Sequence, residues 1–133
     1  MAFFLAKTDP DTYSIADLEK DNVTVWDGVR SPQAIRAIKD MRPGDEVLIY
    51  HSQGEAAIVG LARVVSEPRP DPRDDKSWVV DVKFVRRFAV PVALKEIKES
   101  HKFDDWSLVR QGRLSTMSVP GSFIDWLMER KVL

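Results

Sequence analysis

Cysteine is absent from the 133 residues of the chain, and histidine occurs only twice, at His51 and His101. Without cysteine the chain has no disulfide framework and no thiolate nucleophile. Two well-separated histidines do not form the clusters from which His-rich metal sites are built. We therefore expect no metal and no cofactor, and the absence of cysteine fits a cytoplasmic location.

Long hydrophobic runs are absent too: the longest is only a few residues, whereas a membrane-spanning helix needs about 20. Segment 1–7 has no basic region and too short an apolar stretch for a signal peptide. Hydrophobic residues make up 44% of the chain and charged residues 31%, as in soluble globular proteins. We predict one domain over residues 1–133, monomeric and without a membrane partner.

Neither sign of charge predominates, because 20 basic and 21 acidic residues leave a net charge of −1. This balance argues against a protein that coats duplex nucleic acid through bulk positive charge. A local basic patch around a pocket is compatible with it. Any nucleic-acid role must therefore be specific to one site.

The apolar pattern predicts strands joined by short connections and short helices. Expected strands cover 3–7, 23–26, 47–50, 56–65 and 78–88, with a last one ending at Val119, and expected helices cover 14–20, the segment after Ser31, 94–100 and 122–130. Three prolines in segment 67–76 predict a surface loop there. Gly60, inside a strand, indicates a bulge or a close approach to the backbone. Without a βαβ rhythm, we predict an α+β fold with a mixed, partly closed β-barrel flanked by short helices.

Trp26 is the large aromatic residue of segment 26–30, Trp-Asp-Gly-Val-Arg. Ser31 and Pro32 follow it, and these are preferred residues for a helix N-cap and first helical position. A ring beside a helix N-terminus can stack a flat ligand while free N–H groups attract an anion. The alternative is that Trp26 fills the core, which this segment alone favours.

Further segments shift this balance, because together they resemble a known family. They are Lys-Thr-Asp-Pro at 7–10, Trp-Asp-Gly-Val-Arg at 26–30, Tyr-His-Ser at 50–52, Val-Asp-Val-Lys-Phe-Val at 80–85 and Leu-Val-Arg-Gln-Gly-Arg-Leu-Ser at 108–115. Their order is similar to that in EVE domains of the PUA-like group, over essentially the whole chain. The resemblance implies a small barrel with one ligand pocket. It also implies recognition of modified bases, since EVE domains are associated with modified bases in DNA and YTH domains enclose a flipped-out base in an aromatic cage.

The resemblance implies a site built on Trp26 as a stacking platform, where stacking contributes about 1–3 kcal/mol. Segment 7–9 stands where the family more often has Lys-Ser-Glu and is expected at the base edge; ordinary turn residues are the alternative. His51 and Ser52 are expected at the barrel mouth, with a structural histidine as the alternative. Arginines in 110–113 suit phosphate. The predicted ligand-binding residues are Lys7, Thr8, Asp9, Trp26, Val29, Arg30, Ser31, Gln33, His51, Ser52, Arg110, Gln111 and Arg113.

Two features depart from the family pattern. Ser31 stands where an Asn is common, which removes one amide that would read a base. The segment 67–77 has no aromatic residue, although the corresponding region of YTH domains helps form a second cage wall. A one-sided platform would bind a base more weakly or need a different second wall, for which Trp106 and Tyr50 are the candidates.

Three function classes follow from these residues. The first is a non-catalytic module that binds a modified base in nucleic acid, with DNA favoured over RNA. The second is an enzyme using His51 and Ser52 with Asp9 or Asp27. It is disfavoured because no G-x-S-x-G elbow is present and adjacent strand residues point to opposite faces. The third is a domain that binds a nucleotide-like small molecule or a protein through the same pocket. We predict the first, with no catalytic residue.

Overall fold

The computed structural model describes residues 2–54 and 56–133, which form seven strands and five helices. In chain order these are β1 (Phe3–Thr8), α1 (Ile15–Asp21), β2 (Val23–Trp26), α2 (Pro32–Asp40), β3 (Glu46–His51), β4 (Ala57–Val64), β5 (Arg69–Asp71), β6 (Asp74–Ala93), α3 (Leu94–Ser100), α4 (Ser107–Arg110), β7 (Thr116–Ser118) and α5 (Gly121–Glu129). None of the described helices combines the length and apolar character that a bilayer span requires.

The strands form a mixed sheet in the order β2-β6-β4-β3-β1-β7, and β5 pairs with β6 alone. The pair β1–β3 is parallel, and the other pairs are antiparallel. Within the described residues β2 and β7 lie at the two ends of this path and do not pair, so the sheet stays open between them. The expected α+β class with a mixed, incompletely closed sheet is confirmed.

Local cap chemistry begins the first two helices as the sequence predicts. The Ser14 hydroxyl accepts the Asp17 backbone N–H at 3.2 Å, and the Asp17 carboxylate accepts the Ser14 N–H at 2.9 Å. This reciprocal pair is a capping box, and it stands at the start of the helix expected over 14–20. At α2, the Ser31 hydroxyl accepts the Ala34 N–H at 3.1 Å, directly before Pro32 at the first helical position.

The prediction of a loop throughout segment 67–76 is wrong. Residues 69–71 form β5, a hairpin partner of β6. Pro70 is tolerated because β5 is an edge strand, where one side of the backbone needs no ladder hydrogen bond. The following strand is also longer than the expected 78–88, because a register shift opposite β4 accommodates Pro91.

Gly60 marks a close approach, as expected. A Cβ atom at this position would lie 2.7 Å from Cδ1 of Ile15 and 2.8 Å from the carbonyl oxygen of Arg86. The register of β4 also shifts beside it. The absence of a side chain on β4 therefore lets the first residue of α1 sit directly against the sheet.

Candidate ligand-binding site

A cleft of about 430 Å³ opens where β2 meets the segment that joins β1 to α1. We call it the Trp26 cleft. The residues that line it come from β1, from the following connection and from β2 with the loop after it: Lys7, Thr8, Thr12, Tyr13, Thr24, Val25, Trp26, Asp27 and Gly28. It thus brings together three of the predicted site residues, Lys7, Thr8 and Trp26.

Trp26 is both a core residue and a wall of this cleft. Its side chain is 8% exposed and belongs to the hydrophobic core, while it also lines the cleft. Its backbone is fixed because the last residue of β2 pairs with Val80 of β6. The core interpretation, which the sequence offers as an alternative, therefore describes most of the ring surface.

Tyr13 is the aromatic residue beside Trp26. The two ring centroids lie 6.3 Å apart with an interplanar angle of 80°, an edge-to-face arrangement. Tyr50 and Trp106, the two candidates for a second wall, are both buried elsewhere and do not line the Trp26 cleft. Of these three aromatic residues, only Tyr13 occupies the position of a second wall.

Hydrogen bonds hold Tyr13 in place from several sides. The Thr8 hydroxyl donates to the Tyr13 carbonyl oxygen at 2.7 Å, and the Asp9 carbonyl oxygen accepts the Tyr13 N–H at 2.8 Å. The Tyr13 hydroxyl donates to Oδ2 of Asp21 at 2.8 Å. Partial burial raises the pKa of the Tyr13 hydroxyl above its ordinary value, so the group stays protonated near neutral pH and keeps its bond to Asp21.

Lys7 connects the cleft to the segment that precedes β7. Its Nζ donates to the Gly112 carbonyl oxygen at 3.0 Å and lies 5.4 Å from the centroid of the Tyr50 ring. Burial lowers the pKa of the Lys7 ammonium below its ordinary value. The lysine is thus a partly desolvated donor. It links the cleft to a second depression, whose lining includes Gly112.

The second depression, about 620 Å³, lies beside the N-terminus of α2. We call it the Gln33 groove; it is lined by Ser31, Pro32, Gln33, Gln111, Gly112, Arg113 and Leu114. Four predicted site residues, Ser31, Gln33, Gln111 and Arg113, meet here and not in the Trp26 cleft. The segment 111–114 therefore lies against the start of α2, and Lys7 connects it to the Trp26 cleft.

A third depression, about 320 Å³, adjoins the cleft on its other side. We call it the Arg30 hollow; it shares Asp27 and Gly28 with the cleft and is also lined by Arg30, Asp71, Arg73, Asp74 and Ser77. Gly28 has a φ of +75°, a conformation that favours glycine. This turn carries the chain from the cleft into the hollow and places Arg30 there.

The remaining predicted residues lie outside these linings. Asp9 accepts the Asp11 N–H at 2.9 Å, as its turn alternative requires, and Val29 is buried in the core. Arg110 is exposed, with its guanidinium 3.9 Å from the Asp105 carboxylate. His51 Nε2 accepts the Ile15 N–H at 3.0 Å, and the Ser52 hydroxyl donates to the Thr8 carbonyl oxygen at 3.3 Å.

Four polar or aromatic residues that line the cleft were not among the predicted ligand-binding residues: Thr12, Tyr13, Thr24 and Asp27. Thr24 could have been predicted, because residues two apart on a strand share a face and Trp26, two residues later, was already a candidate. Tyr13 directly precedes the helix expected over 14–20 and was not among the candidates for the site. No local pattern shows that the connection 9–14 folds back over β2, so Thr12 and Tyr13 gave no signal as lining residues.

Residues 2–130 match the model of the family described as EVE domain. The chain belongs to the EVE domain family. The resemblance suggested by segments 26–30 and 108–115 is therefore confirmed, and the PUA-like fold expected from it agrees with the open mixed sheet.

Named relatives of this EVE domain include proteins from distant organisms. Thymocyte nuclear protein 1 of Rattus norvegicus is 32% identical, with 75% of this chain and 57% of that protein covered. The chain thus spans little more than half the length of that curated relative. A hypothetical protein from Leishmania major has a TM-score of 0.88 at 33% identity, covering 98% of this chain and 94% of its own. Human THYN1 protein, solved in complex with DNA containing 5-methylcytosine, has a TM-score of 0.89 at 26% identity, covering 98% of each chain.

Proposed function

We propose that this EVE domain is a non-catalytic module that binds a flipped-out modified base of nucleic acid in the Trp26 cleft, with DNA favoured over RNA. The observation that carries the proposal is the human THYN1 complex with DNA containing 5-methylcytosine, whose chain matches this one over 98% of both lengths. The cleft supplies a location for the base. The two neighbouring depressions supply a location for the flanking backbone.

The size of the cleft suits one base. Small-molecule pockets measure roughly 300–1,000 Å³, and the Trp26 cleft measures about 430 Å³. A base extruded from a stack needs an apolar or aromatic surface for its face and polar groups for its edge. Trp26 and Tyr13 supply two aromatic surfaces at an angle of 80°, so the base contacts one ring by its face and the other by its rim.

The polar lining suits recognition of the base edge. Three threonines contribute hydroxyl groups, which both donate and accept hydrogen bonds. Lys7 contributes a donor and Asp27 an acceptor to the same lining. A cytosine or adenine edge combines donors with acceptors, and this mixed lining can pair with both. The Thr8 hydroxyl already donates to the Tyr13 carbonyl oxygen, so it acts toward a base as an acceptor.

The flanking depressions suit the phosphate backbone, with Arg113 in the Gln33 groove and Arg30 and Arg73 in the Arg30 hollow. Arginine binds phosphate through its planar fork of donors. Three acidic residues share the Arg30 hollow, whereas none of the described residues that line the Gln33 groove with Arg113 is acidic. We therefore assign the stronger phosphate contact to the Gln33 groove.

Binding without chemistry is supported by the positions of His51 and Ser52. A nucleophile and its base must lie within hydrogen-bond reach of each other. In the described part of the chain, His51 Nε2 instead accepts from the Ile15 backbone and the Ser52 hydroxyl donates to the Thr8 backbone. Both side chains stabilise the connection that forms one wall of the cleft.

The test is a titration of intrinsic tryptophan fluorescence with short oligonucleotides that differ only at one cytosine, 5-methylated or not. We expect saturable quenching that is stronger with the methylated strand and weakened in Trp26→Phe. The chain has four tryptophans, so a matched control is needed. Trp78→Phe serves, because Trp78 lies outside the cleft with the Lys39 ammonium 4.7 Å from its ring centroid.

Two outcomes would overturn the proposal. Equal affinity of the wild type and Trp26→Phe for the methylated strand would show that the base does not bind in the Trp26 cleft. An absence of binding to any strand, with retained binding of a free modified nucleoside, would support a nucleotide-like small molecule as the ligand. Arg113→Ala adds a third readout: it is expected to weaken binding of an oligonucleotide more than binding of a nucleoside.

A further inference from the structure

His51 joins α1 to the sheet through one hydrogen bond between its side chain and the backbone of the helix. It is the last residue of β3, and its Nε2 accepts the N–H of Ile15, the first residue of α1, at 3.0 Å. The N–H groups of the first helical turn have no partner inside the helix. An imidazole accepts a hydrogen bond at Nε2 only when it is neutral and carries its proton on Nδ1. The observed contact thus defines one protonation state.

Ile15 is also held through its side chain. Its Cδ1 atom lies in the space that a side chain at Gly60 would occupy, 2.7 Å from the position of a Cβ there. The N–H of Ile15 is therefore fixed by β3 and its side chain by β4. Tyr13, the second aromatic residue of the Trp26 cleft, is two residues away. The connection that carries that ring thus leads directly into an anchored residue.

The charged groups around His51 favour the neutral imidazole. Its strand partners are uncharged, Thr8 on β1 and Ala57 on β4. From β6 the guanidinium of Arg87 acts on it, itself paired with Glu19 of α1 at 3.0 Å. Asp17 of α1 is occupied by the Ser14 N–H. Burial, and to a lesser extent the positive charge of Arg87, lower the pKa of the His51 imidazole below its ordinary value.

We propose that His51 is a proton-sensitive latch for the Tyr13 side of the cleft: protonation at Nε2 releases the Ile15 N–H, loosens α1 and weakens ligand binding. This inference rests on the function proposed above for the Trp26 cleft. A protonated imidazole has two donors and no acceptor. It also places a positive charge at the positive end of a helix.

The direction of the pH effect follows from the lowered pKa of His51. Because the folded pKa is depressed, the unfolded chain binds the proton more readily. The stabilisation is complete above the ordinary histidine pKa of about 6.5. It is lost as the pH falls below that value and through the folded pKa. Loosening of α1 is thus expected in mildly acidic solution.

The test compares the wild type with His51→Gln and His101→Gln, free of ligand, at about pH 7.5 and about pH 5.5, on either side of the ordinary pKa. A glutamine amide oxygen can accept the Ile15 N–H but does not titrate. His101→Gln is the matched control, because His101 is exposed and its imidazole contacts the Asp104 carboxylate at 3.5 Å. Hydrogen exchange of the α1 amides is measured for the three proteins at the same pH, which removes the intrinsic pH dependence of exchange.

We expect faster exchange in α1 of the wild type at the lower pH, on the order of threefold to tenfold relative to His51→Gln. His101→Gln is expected to behave as the wild type. Equal exchange of wild type and His51→Gln at both values would overturn the latch. The affinity for an oligonucleotide containing 5-methylcytosine is then measured under the same conditions, and it should fall at low pH in the wild type but not in His51→Gln.

The two readouts separate this inference from the proposed function. If α1 loosens in the wild type but the affinity ratio of wild type to His51→Gln does not change, the coupling between latch and cleft is wrong. If no protein binds the oligonucleotide at either pH while the difference in exchange persists, the proposed function fails and the latch on α1 stands.

Discussion

The two aromatic sides of the Trp26 cleft are held in different ways. Trp26 ends β2, which pairs along its length with β6 in the sheet, and its ring belongs to the core. Tyr13 lies in a connection between elements and is held by individual hydrogen bonds: one donated by Thr8, and two that Tyr13 donates to Asp9 and Asp21. One side is therefore fixed by cooperative structure and the other by separable contacts. We infer that the Trp26 side determines whether a ligand binds and the Tyr13 side how tightly.

The largest expected effect is on the fixed side. Trp26→Ala removes a nearly buried indole from the core, and such truncations cost about 3–5 kcal/mol of unfolding free energy. Chemical denaturation measures the loss, and Trp26→Phe is the control that keeps an aromatic ring. A loss below about 1 kcal/mol would show that the ring is a lining residue only, so that the two sides would not differ.

Gly60→Ala should disturb the contact between α1, on the Tyr13 side of the cleft, and the sheet that carries Trp26. The added methyl group would meet Cδ1 of Ile15 at 2.7 Å and the backbone oxygen of Arg86 at 2.8 Å. The side-chain atom can move, but the backbone oxygen cannot without a shift of β6. Overpacking of this kind costs roughly 1–3 kcal/mol. Gly112→Ala is the control, because a Cβ there meets nothing within 4 Å; an equal loss in both variants would contradict the prediction.

The same contrast separates what the sequence reveals from what it hides. The caps at Ser14 and Ser31 are local chemistry, so both helix starts were predictable. Trp26 was predicted as a site residue because it ends an expected strand and a helix cap follows it. The partner of His51, by contrast, is 36 residues away, and no local pattern relates the two. His51 was therefore predicted as a ligand contact with a structural histidine as the alternative, and the bond from the Ile15 N–H to its ring agrees with the alternative.

The strand β5 illustrates a second limit. Prolines in segment 67–76 correctly exclude a central strand, but an edge strand of three residues needs few ladder bonds. Its pairing is determined by the neighbouring Trp78 and Val79 of β6, which is tertiary information. Likewise, the grouping of Gln33 with Arg113 in one groove depends on how α2 and the segment before β7 pack, and their sequence positions do not reveal it.

A moderate effect is expected from Ser14→Ala, which removes the capping box on the Tyr13 side. The Asp17 N–H loses its acceptor and the reciprocal bond loses its geometry. Loss of an N-cap serine costs about 0.5–2 kcal/mol. Exchange of the α1 amides should rise while exchange in β2 stays unchanged. Equal acceleration in both elements would show that the two sides form one cooperative unit, against the distinction drawn above.

The smallest effect is expected from Tyr13→Phe, which keeps the ring beside Trp26 and removes only the hydroxyl that donates to Asp21. A net hydrogen bond contributes about 0.5–1.5 kcal/mol, and this pair is exposed to solvent, so the lower end applies. The unfolding free energy should hardly change, whereas the affinity for the methylated oligonucleotide should fall slightly through faster dissociation. If Tyr13→Phe instead destabilises the fold as strongly as Ser14→Ala, then Tyr13 supports α1 and not the ligand. Stopped-flow dissociation measured beside a denaturation curve distinguishes the two roles, because only a residue that holds the ligand changes the first without the second.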